Sequence, residues 1–587
     1  MLSSLRGYRT SEHVSGIPDT SVAETIADGA RMVCNRMMNP SASSASPRIA
    51  SVTLGAGPLR IDDVVAVARY GATVELDPSA LAGVTDSRHV VESLADDTEP
   101  HYGISTGFGA LATTFIPSER RAQLQSSLVR SHAAGSGPEV EREVIRALML
   151  LRLSTLMTGR TGIRPEVAET YAALLNASIT PIVREYGSLG CSGDLAPLAH
   201  CALAAMGEGE VRVGGAYLPA PGERTSETAD VTDRPGETAQ TIGVLQDASA
   251  ALDEAGITPV RLSEKEGLAL INGTDGMLGM LALAIHDLSS LLTTADISTA
   301  MSVESLMGTD AVFAADLQRL RPQEGQAVSA ANLRALLAGS PIVASHRGPE
   351  CTRVQDAYSL RCSPQVVGAA RDTVAHATLV ANRELASAVD NPVLTVDGRV
   401  ESNGNFHGAP VAYVLDFLAI VAADVASMSE RRTDRFLDPA RNQGLPPFLA
   451  HEVGVDSGLM IAQYTAAGIV SELKRLAAPA SVDSIPSSAM QEDHVSMGWA
   501  AGRKLRRSID GLGRVLAIEL LTAARAADLR APLKPGAATG AVHDAIRAVV
   551  EGPGPDRYLS PEIEAVVALV QSGLILDAAA TVVGYLD

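Results

Sequence analysis

Between Val411 and Val425 the residues Val411, Val414, Leu415, Leu418, Val421, Ala422 and Val425 recur at three- and four-residue steps. That is the period of an α-helix, and these residues fill one of its faces. The intervening positions are also largely apolar, so the helix is expected to be buried on several sides. Met280 to Ile297 and Ile461 to Leu476 have the same character. Helices of this kind need other helices for burial, which constrains the chain to a mainly α fold built on long central helices. Abundant Ala and Leu, with aromatics at only 3%, agree with it. Asp416 and Asp424 interrupt the stretch Val411 to Ala426, and no apolar run is expected to be long and clean enough to span a bilayer.

The 587 residues, 46% hydrophobic, hold material for roughly two to four domains. Residues 1–48, rich in Ser, Asn and Met, read as a mobile extension. A polar loop is expected at about 219–240 within a region spanning 49–250, followed by a helical core at 251–530 and a C-terminal helical region at 531–587. Short extended pieces are expected near Val52-Thr53-Leu54, Val211-Arg212-Val213 and Val393-Leu394-Thr395. The net charge of −21 disfavours a nucleic-acid partner. The five cysteines, Cys34, Cys191, Cys201, Cys351 and Cys362, are odd in number and lack CxxC spacing, which favours a reducing compartment. With no apolar leader run, a cytoplasmic location without membrane association is expected. The histidines form no metal-ligand cluster.

The segment Tyr186-Gly187-Ser188-Leu189-Gly190-Cys191-Ser192-Gly193-Asp194-Leu195-Ala196-Pro197 carries unusual chemistry. In an X-Ser-Gly triplet at a tight turn, the Gly193 nitrogen can attack the Cys191 carbonyl carbon and close a five-membered ring. Loss of two waters, one taking the Ser192 hydroxyl, leaves an exocyclic methylidene. Ordinary side chains supply acids, bases and nucleophiles, so such a ring fills the role of a strong electrophile. The glycines allow close backbone approach. Asp194 suits a helix start, where it complements free N–H groups, and that helix would aim its positive end at the ring.

Five further motifs follow in order. They are His101-Tyr102-Gly103-Ile104-Ser105-Thr106-Gly107-Phe108-Gly109, Lys265 to Thr274 containing Asn272, Val354 to Cys362, Ser402-Asn403-Gly404-Asn405-Phe406-His407-Gly408, and Ser481 to Gly498 containing Glu492. In the third, Gln355, Tyr358 and Arg361 are spaced by three and would share a helix face. Arg361 can grip a carboxylate in two-pronged fashion. Taken singly, each motif also suits an ordinary turn or a surface ion pair.

Together these motifs resemble the histidine/phenylalanine/tyrosine ammonia-lyase family, over roughly residues 50 to 585. The resemblance implies an ammonia-lyase/fumarase-like helical bundle, with minor β elements near the N-terminal electrophile region, and a carbon–nitrogen lyase. It implies that Cys191, Ser192 and Gly193 form 4-methylidene-imidazol-5-one (MIO) autocatalytically, with no external cofactor. Cys191 stands where the family usually has Ala, a tolerable change because only its backbone enters the ring. Tyr102 is implied as general base, with Tyr358 also at the reacting centre. Asn272, Gln355, Arg361 and Phe406 are implied as substrate-binding residues around the ring. Ser131-His132 and Glu492 match histidine-selective members: both can hydrogen-bond an imidazole, and a carboxylate would be left unpaired against a phenyl ring. The implied reaction is conversion of L-histidine to trans-urocanate and ammonia by a homotetramer with shared active sites. A phenylalanine or tyrosine ammonia-lyase, or an MIO-dependent aminomutase, shares nearly every motif. A non-catalytic helical homologue is the reading from another class.

Overall fold

The helices that carry or support the candidate site are, in chain order, α1 (Arg121–His132), α2 (Leu195–Ala205), α3 (Glu266–Ile271), α4 (Asp275–Ser305), α5 (Tyr358–Arg361), α6 (Ser363–Leu385), α7 (Ala409–Leu437), α8 (Met460–Leu476) and α9 (Gly498–Asp528). The computed structural model describes residues 49–97, 99–107, 113–217, 242–348, 351 and 354–587. The expected N-terminal extension and the polar loop at 219–240 lie outside the described residues, as do Phe108 and Gly109. The described residues form one compact unit.

The long central helices are α4, α7 and α9. α7 and α9 pack along each other, α4 lies against α9, and α6 covers α4 and α7. α4 is buried over most of its 31 residues, which is why its sequence carries little stripe pattern. Where these helices meet, the buried Arg432 of α7 binds Glu519 of α9 through Nε at 2.5 Å and Nη2 at 2.8 Å. The same carboxylate accepts from the hydroxyls of Ser298, Ser302 and Ser429, so the buried charge is fully hydrogen-bonded.

Two expectations about the apolar helices need correction. α7 buries Val411, Val414, Leu415, Leu418, Ala422 and Val425, but Val421 is half-buried, and Tyr413, Phe417 and Ile420 are exposed. α8 buries only Ala462, Ala466, Val470 and Leu473, leaving Ile461 and Tyr464 exposed. α4 is thus buried on several sides, while α7 and α8 each keep an exposed apolar face. The second correction concerns length. α4 and α7 are long and apolar enough to cross a membrane by composition, because each has an 18-residue stretch with no more than two charged residues. Their most apolar windows are 78% and 61% buried inside the protein itself.

The β structure is minor, as expected. Ser51–Leu54 pairs in parallel with Thr73–Leu76. Ile179–Pro181, Glu210–Val213 and Val244–Asp247 form an antiparallel three-stranded sheet. Val393–Leu394 pairs with Val400–Glu401, Thr395 falling just outside. The C-terminal region is helical over Ala537–Arg547, Ser560–Ser572 and Leu574–Val583.

Candidate active site

The triplet Cys191-Ser192-Gly193 lies between the strand Arg184–Tyr186 and α2, which starts at Leu195. The loop is clamped on both sides. The Gly190 carbonyl accepts the Ser496 hydroxyl at 2.9 Å, and the Leu189 carbonyl accepts the Met497 N–H at 2.9 Å. Gly193 has φ +75°, left-handed backbone that favours glycine. It pairs with Gly273, and the Asp194 N–H donates to the Gly273 carbonyl at 2.7 Å. A Cβ at residue 193 would sit 2.0 Å from that carbonyl oxygen. The cradle therefore admits bare backbone at 193, as closure of a ring through its nitrogen requires, and these residues fit the MIO group. The Ser192 hydroxyl donates to Asn272 Oδ1 at 3.0 Å.

Asp194 does not serve the start of its own helix, contrary to expectation. Its buried carboxylate accepts the Ser188 hydroxyl at 2.9 Å and the Met277 N–H, in the first turn of α4, at 2.8 Å. It thus pins the loop to the positive end of the central helix. Burial raises its pKa to about 7, against the opposing hydrogen bond from Met277.

Asn272 connects the triplet to a buried polar layer that no sequence motif announces. Its Nδ2 donates to the Asn391 carbonyl at 2.9 Å, and its own carbonyl accepts Arg152 Nη1 at 2.7 Å. Beside it, Lys265 and Asp390 are fully buried and 2.5 Å apart. Burial pulls the Lys265 ammonium down and the Asp390 carboxyl up, each partly offset by the other. The Tyr102 turn comes to this layer through Gly103, which packs on Leu268 and Pro392.

Glu492 also reaches the triplet. Burial pushes the Cys191 thiol up to about 12, and the adjacent Glu492 carboxylate adds to the rise. Glu492 is held by the Ser487 hydroxyl at 2.9 Å. The Phe406 loop runs past the same point, with Gly408 against Ser496 and Met277. His132 ends α1, three residues before Gly135, whose backbone packs on Gly187. His132 Nδ1 lies 2.9 Å from the Leu128 carbonyl oxygen, which can only accept. The neutral ring therefore carries its proton on Nδ1 and offers Nε2 as an acceptor.

The remaining predicted residues lie elsewhere in the chain. Tyr358 and Arg361 occupy α5, with the guanidinium 4.7 Å over the Tyr358 ring. Gln355 precedes the helix and is exposed, so the three do not share a helical face as their spacing suggested. Arg361 Nε is buried and has no hydrogen-bond partner among the described residues. α5 is tied to the far end of α4: Arg432 Nη1 donates to the Ser359 carbonyl at 3.1 Å, and Ser363 meets Thr299 at 3.0 Å. Asp275, which opens α4 beside the triplet, and Thr299 are about 36 Å apart along that helix at 1.5 Å per residue. One chain therefore brings Asn272 and Glu492 to the triplet, runs the segments that carry Tyr102, Phe406 and His132 past the elements that hold it, and leaves Gln355, Tyr358 and Arg361 at a second place.

A long-helix bundle presenting a clamped X-Ser-Gly turn is what the ammonia-lyase resemblance implies. The aromatic amino acid lyase family model matches residues 59–548. A histidine ammonia-lyase of Streptomyces avermitilis is 60% identical over 535 residues, covering 91% of this chain and 99% of that protein. Among solved structures, the tyrosine aminomutase of Streptomyces globisporus superposes with a TM-score of 0.81 at 36% identity, over 91% of this chain and 99% of that one. The histidine ammonia-lyase of Trypanosoma cruzi gives 0.78 at 36% identity, over 90% and 95%. The chain belongs to the aromatic amino acid lyase family and is a carbon–nitrogen lyase.

Proposed function

We propose that this protein is a histidine ammonia-lyase, converting L-histidine to trans-urocanate and ammonia, the first step of histidine degradation. The observation that carries this reading is the Glu492 carboxylate beside Cys191 of the triplet. A fixed acceptor beside the electrophile suits an imidazole N–H and would be left unpaired against a phenyl ring. The identity to histidine ammonia-lyases supports it.

Cys191, Ser192 and Gly193 would carry the MIO group, which supplies an electrophilic carbon that makes the substrate's amino group a better leaving group. Tyr102 takes the β-proton as general base. The C–N bond breaks, the Cα–Cβ double bond forms, and ammonia leaves. Asn272 holds the amino acid end, and Arg361 grips the carboxylate in two-pronged fashion. Tyr358, Gln355 and Phe406 shape the cavity around the triplet. His132 and Glu492 hold the imidazole, Glu492 accepting its N–H. This division of labour requires that Gln355, Tyr358 and Arg361 come from another copy of the chain, in a homotetramer with shared sites. The exposed Tyr413, Phe417 and Ile420 of α7 and Ile461 and Tyr464 of α8 offer apolar surface for that assembly. A cytoplasmic enzyme needing no external cofactor, nucleic acid or membrane fits this account.

The likeness to a tyrosine aminomutase keeps a second reading open: re-addition of ammonia to give a β-amino acid. Incubation with histidine, phenylalanine and tyrosine separates them. Urocanate from histidine alone is expected, and a β-amino acid product or preference for phenylalanine contradicts it. Glu492→Gln is expected to lower kcat/KM for histidine by about 10- to 100-fold, the range for a hydrogen bond to a charged group. Unchanged kinetics in that variant would remove Glu492 from substrate recognition.

A further inference from the structure

His407 and His494 are 87 residues apart in sequence and meet in the structure. His407 Nε2 lies 3.1 Å from His494 Nδ1, and the rings stack with centroids 5.2 Å apart and planes 26° from parallel. The protons in this pair can be placed. The Ala409 N–H, at the start of α7, donates to His407 Nδ1 at 3.3 Å. His407 Nδ1 is therefore an acceptor, its proton sits on Nε2, and Nε2–H donates to His494 Nδ1.

The pair joins two segments that each run to the triplet by a different route. The 402–408 segment is anchored at its base: the Ser402 hydroxyl and the Asn403 N–H both donate to Asn391 Oδ1, at 3.1 and 3.0 Å. The Asn391 carbonyl holds Asn272, which accepts from Ser192. The 484–497 segment is anchored by Ser496 on the Gly190 carbonyl and by Ser484, whose hydroxyl accepts the Val495 N–H at 2.9 Å. Phe406 stands between the Asn403 anchor and His407, and Glu492 stands two residues before His494. The histidine pair closes a ring of hydrogen bonds around the triplet.

We propose that His407 and His494 are positioning residues that latch the Phe406 loop to the Glu492 segment, and that the full chain of hydrogen bonds, from the Ala409 N–H through His407 to His494, holds only while both rings are neutral. The proposal rests on the reading of Phe406 and Glu492 as substrate-side residues. An added proton on His494 Nδ1 would face His407 Nε2–H. Moving that proton to His407 Nδ1 would instead face the Ala409 N–H. Either way one hydrogen bond is lost. The positive end of α7 further opposes charge on His407. His494 is flanked by Glu492 and Asp493 on its own segment, while His407 is faced by His494 and by the Ala409 N–H. Burial first, then His494, lowers the His407 pKa. A lowered imidazole pKa means the latch is fully formed above the ordinary value of about 6.5 and is lost as pH falls through the lowered one.

The test is hydrogen exchange of the 402–408 and 484–497 segments in the free, full-length enzyme, paired with the KM for histidine. In wild type, exchange corrected for its intrinsic pH dependence should rise about three- to tenfold between about pH 8 and about pH 5.5, the effect of one net hydrogen bond. His407→Leu should exchange fast at both pH values and raise KM more than it lowers kcat. His494→Gln keeps an acceptor for the His407 Nε2–H, so it should stay protected at about pH 8. If His407→Leu does not fold, the wild-type and His494→Gln profiles decide alone. Exchange in wild type that ignores pH, or in His494→Gln that is already fast at about pH 8, overturns the latch. Raised exchange with an unchanged KM overturns the positioning role. A wild-type enzyme with the expected exchange but no turnover of histidine leaves the latch standing and overturns the substrate reading.

Discussion

Ser192→Ala is expected to abolish the ultraviolet absorbance of the ring and to lower turnover of histidine by about a thousandfold or more, a small part of the 10⁶–10¹⁷ acceleration enzymes achieve. The reason lies in the atoms. The ring nitrogen comes from Gly193 and the ring carbon from Cys191, but the methylidene exists only if the Ser192 hydroxyl departs. Alanine has nothing to lose. The protein itself should survive the change. Ser192 is half-buried and makes one side-chain hydrogen bond, to Asn272, worth about 1 kcal/mol. A melting temperature within a few degrees of wild type, together with lost activity, separates missing chemistry from a damaged fold. A fully active Ser192→Ala enzyme would end the proposed mechanism.

The second large effect is a recovery. Ser192→Ala and Arg361→Ala homo-oligomers should each be inactive, one lacking the electrophile and the other the carboxylate clamp. Mixed by co-expression in equal amounts, they should regain about one quarter of wild-type activity, because random assembly of a symmetric oligomer pairs intact Ser192 with intact Arg361 from another copy in about one site of four. The expectation follows from the separation of about 36 Å along α4 between the triplet end and the end that holds α5. A flexible chain could not close such a gap, since α5 is fastened by Arg432 to the buried Glu519 in the middle of the bundle. No recovery, with mixed oligomers verified by mass, would place both residues of each site in one chain.

These two effects mark what the amino-acid sequence carries and what it does not. The helical bundle was legible because the apolar residues of α7 recur with the helical period. The triplet and Asn272 were legible as motifs, and the structure places them in contact. Spacing alone misled at Gln355, since a three-residue step is helical only if the backbone is, and the chain turns into helix only at Tyr358. Asp194 was legible as a helix-start residue, but the helix it serves is α4, where Met277 lies 83 residues on, a partnership no local pattern encodes. Asn391, Arg152 and the Lys265–Asp390 pair were invisible for the same reason: their roles come from long-range contacts to backbone carbonyls and to each other. The exposed faces of α7 and α8 look like core residues in sequence because an apolar stripe does not record which of its residues its own chain covers.

The most direct measurement of the central claim is the mass of the peptide spanning Tyr186 to His200 from the purified, active enzyme. The account predicts a peptide lighter than its sequence by two waters in wild type and of full sequence mass in Ser192→Ala. A wild-type peptide of full sequence mass, in an enzyme that still converts histidine to urocanate, would contradict it.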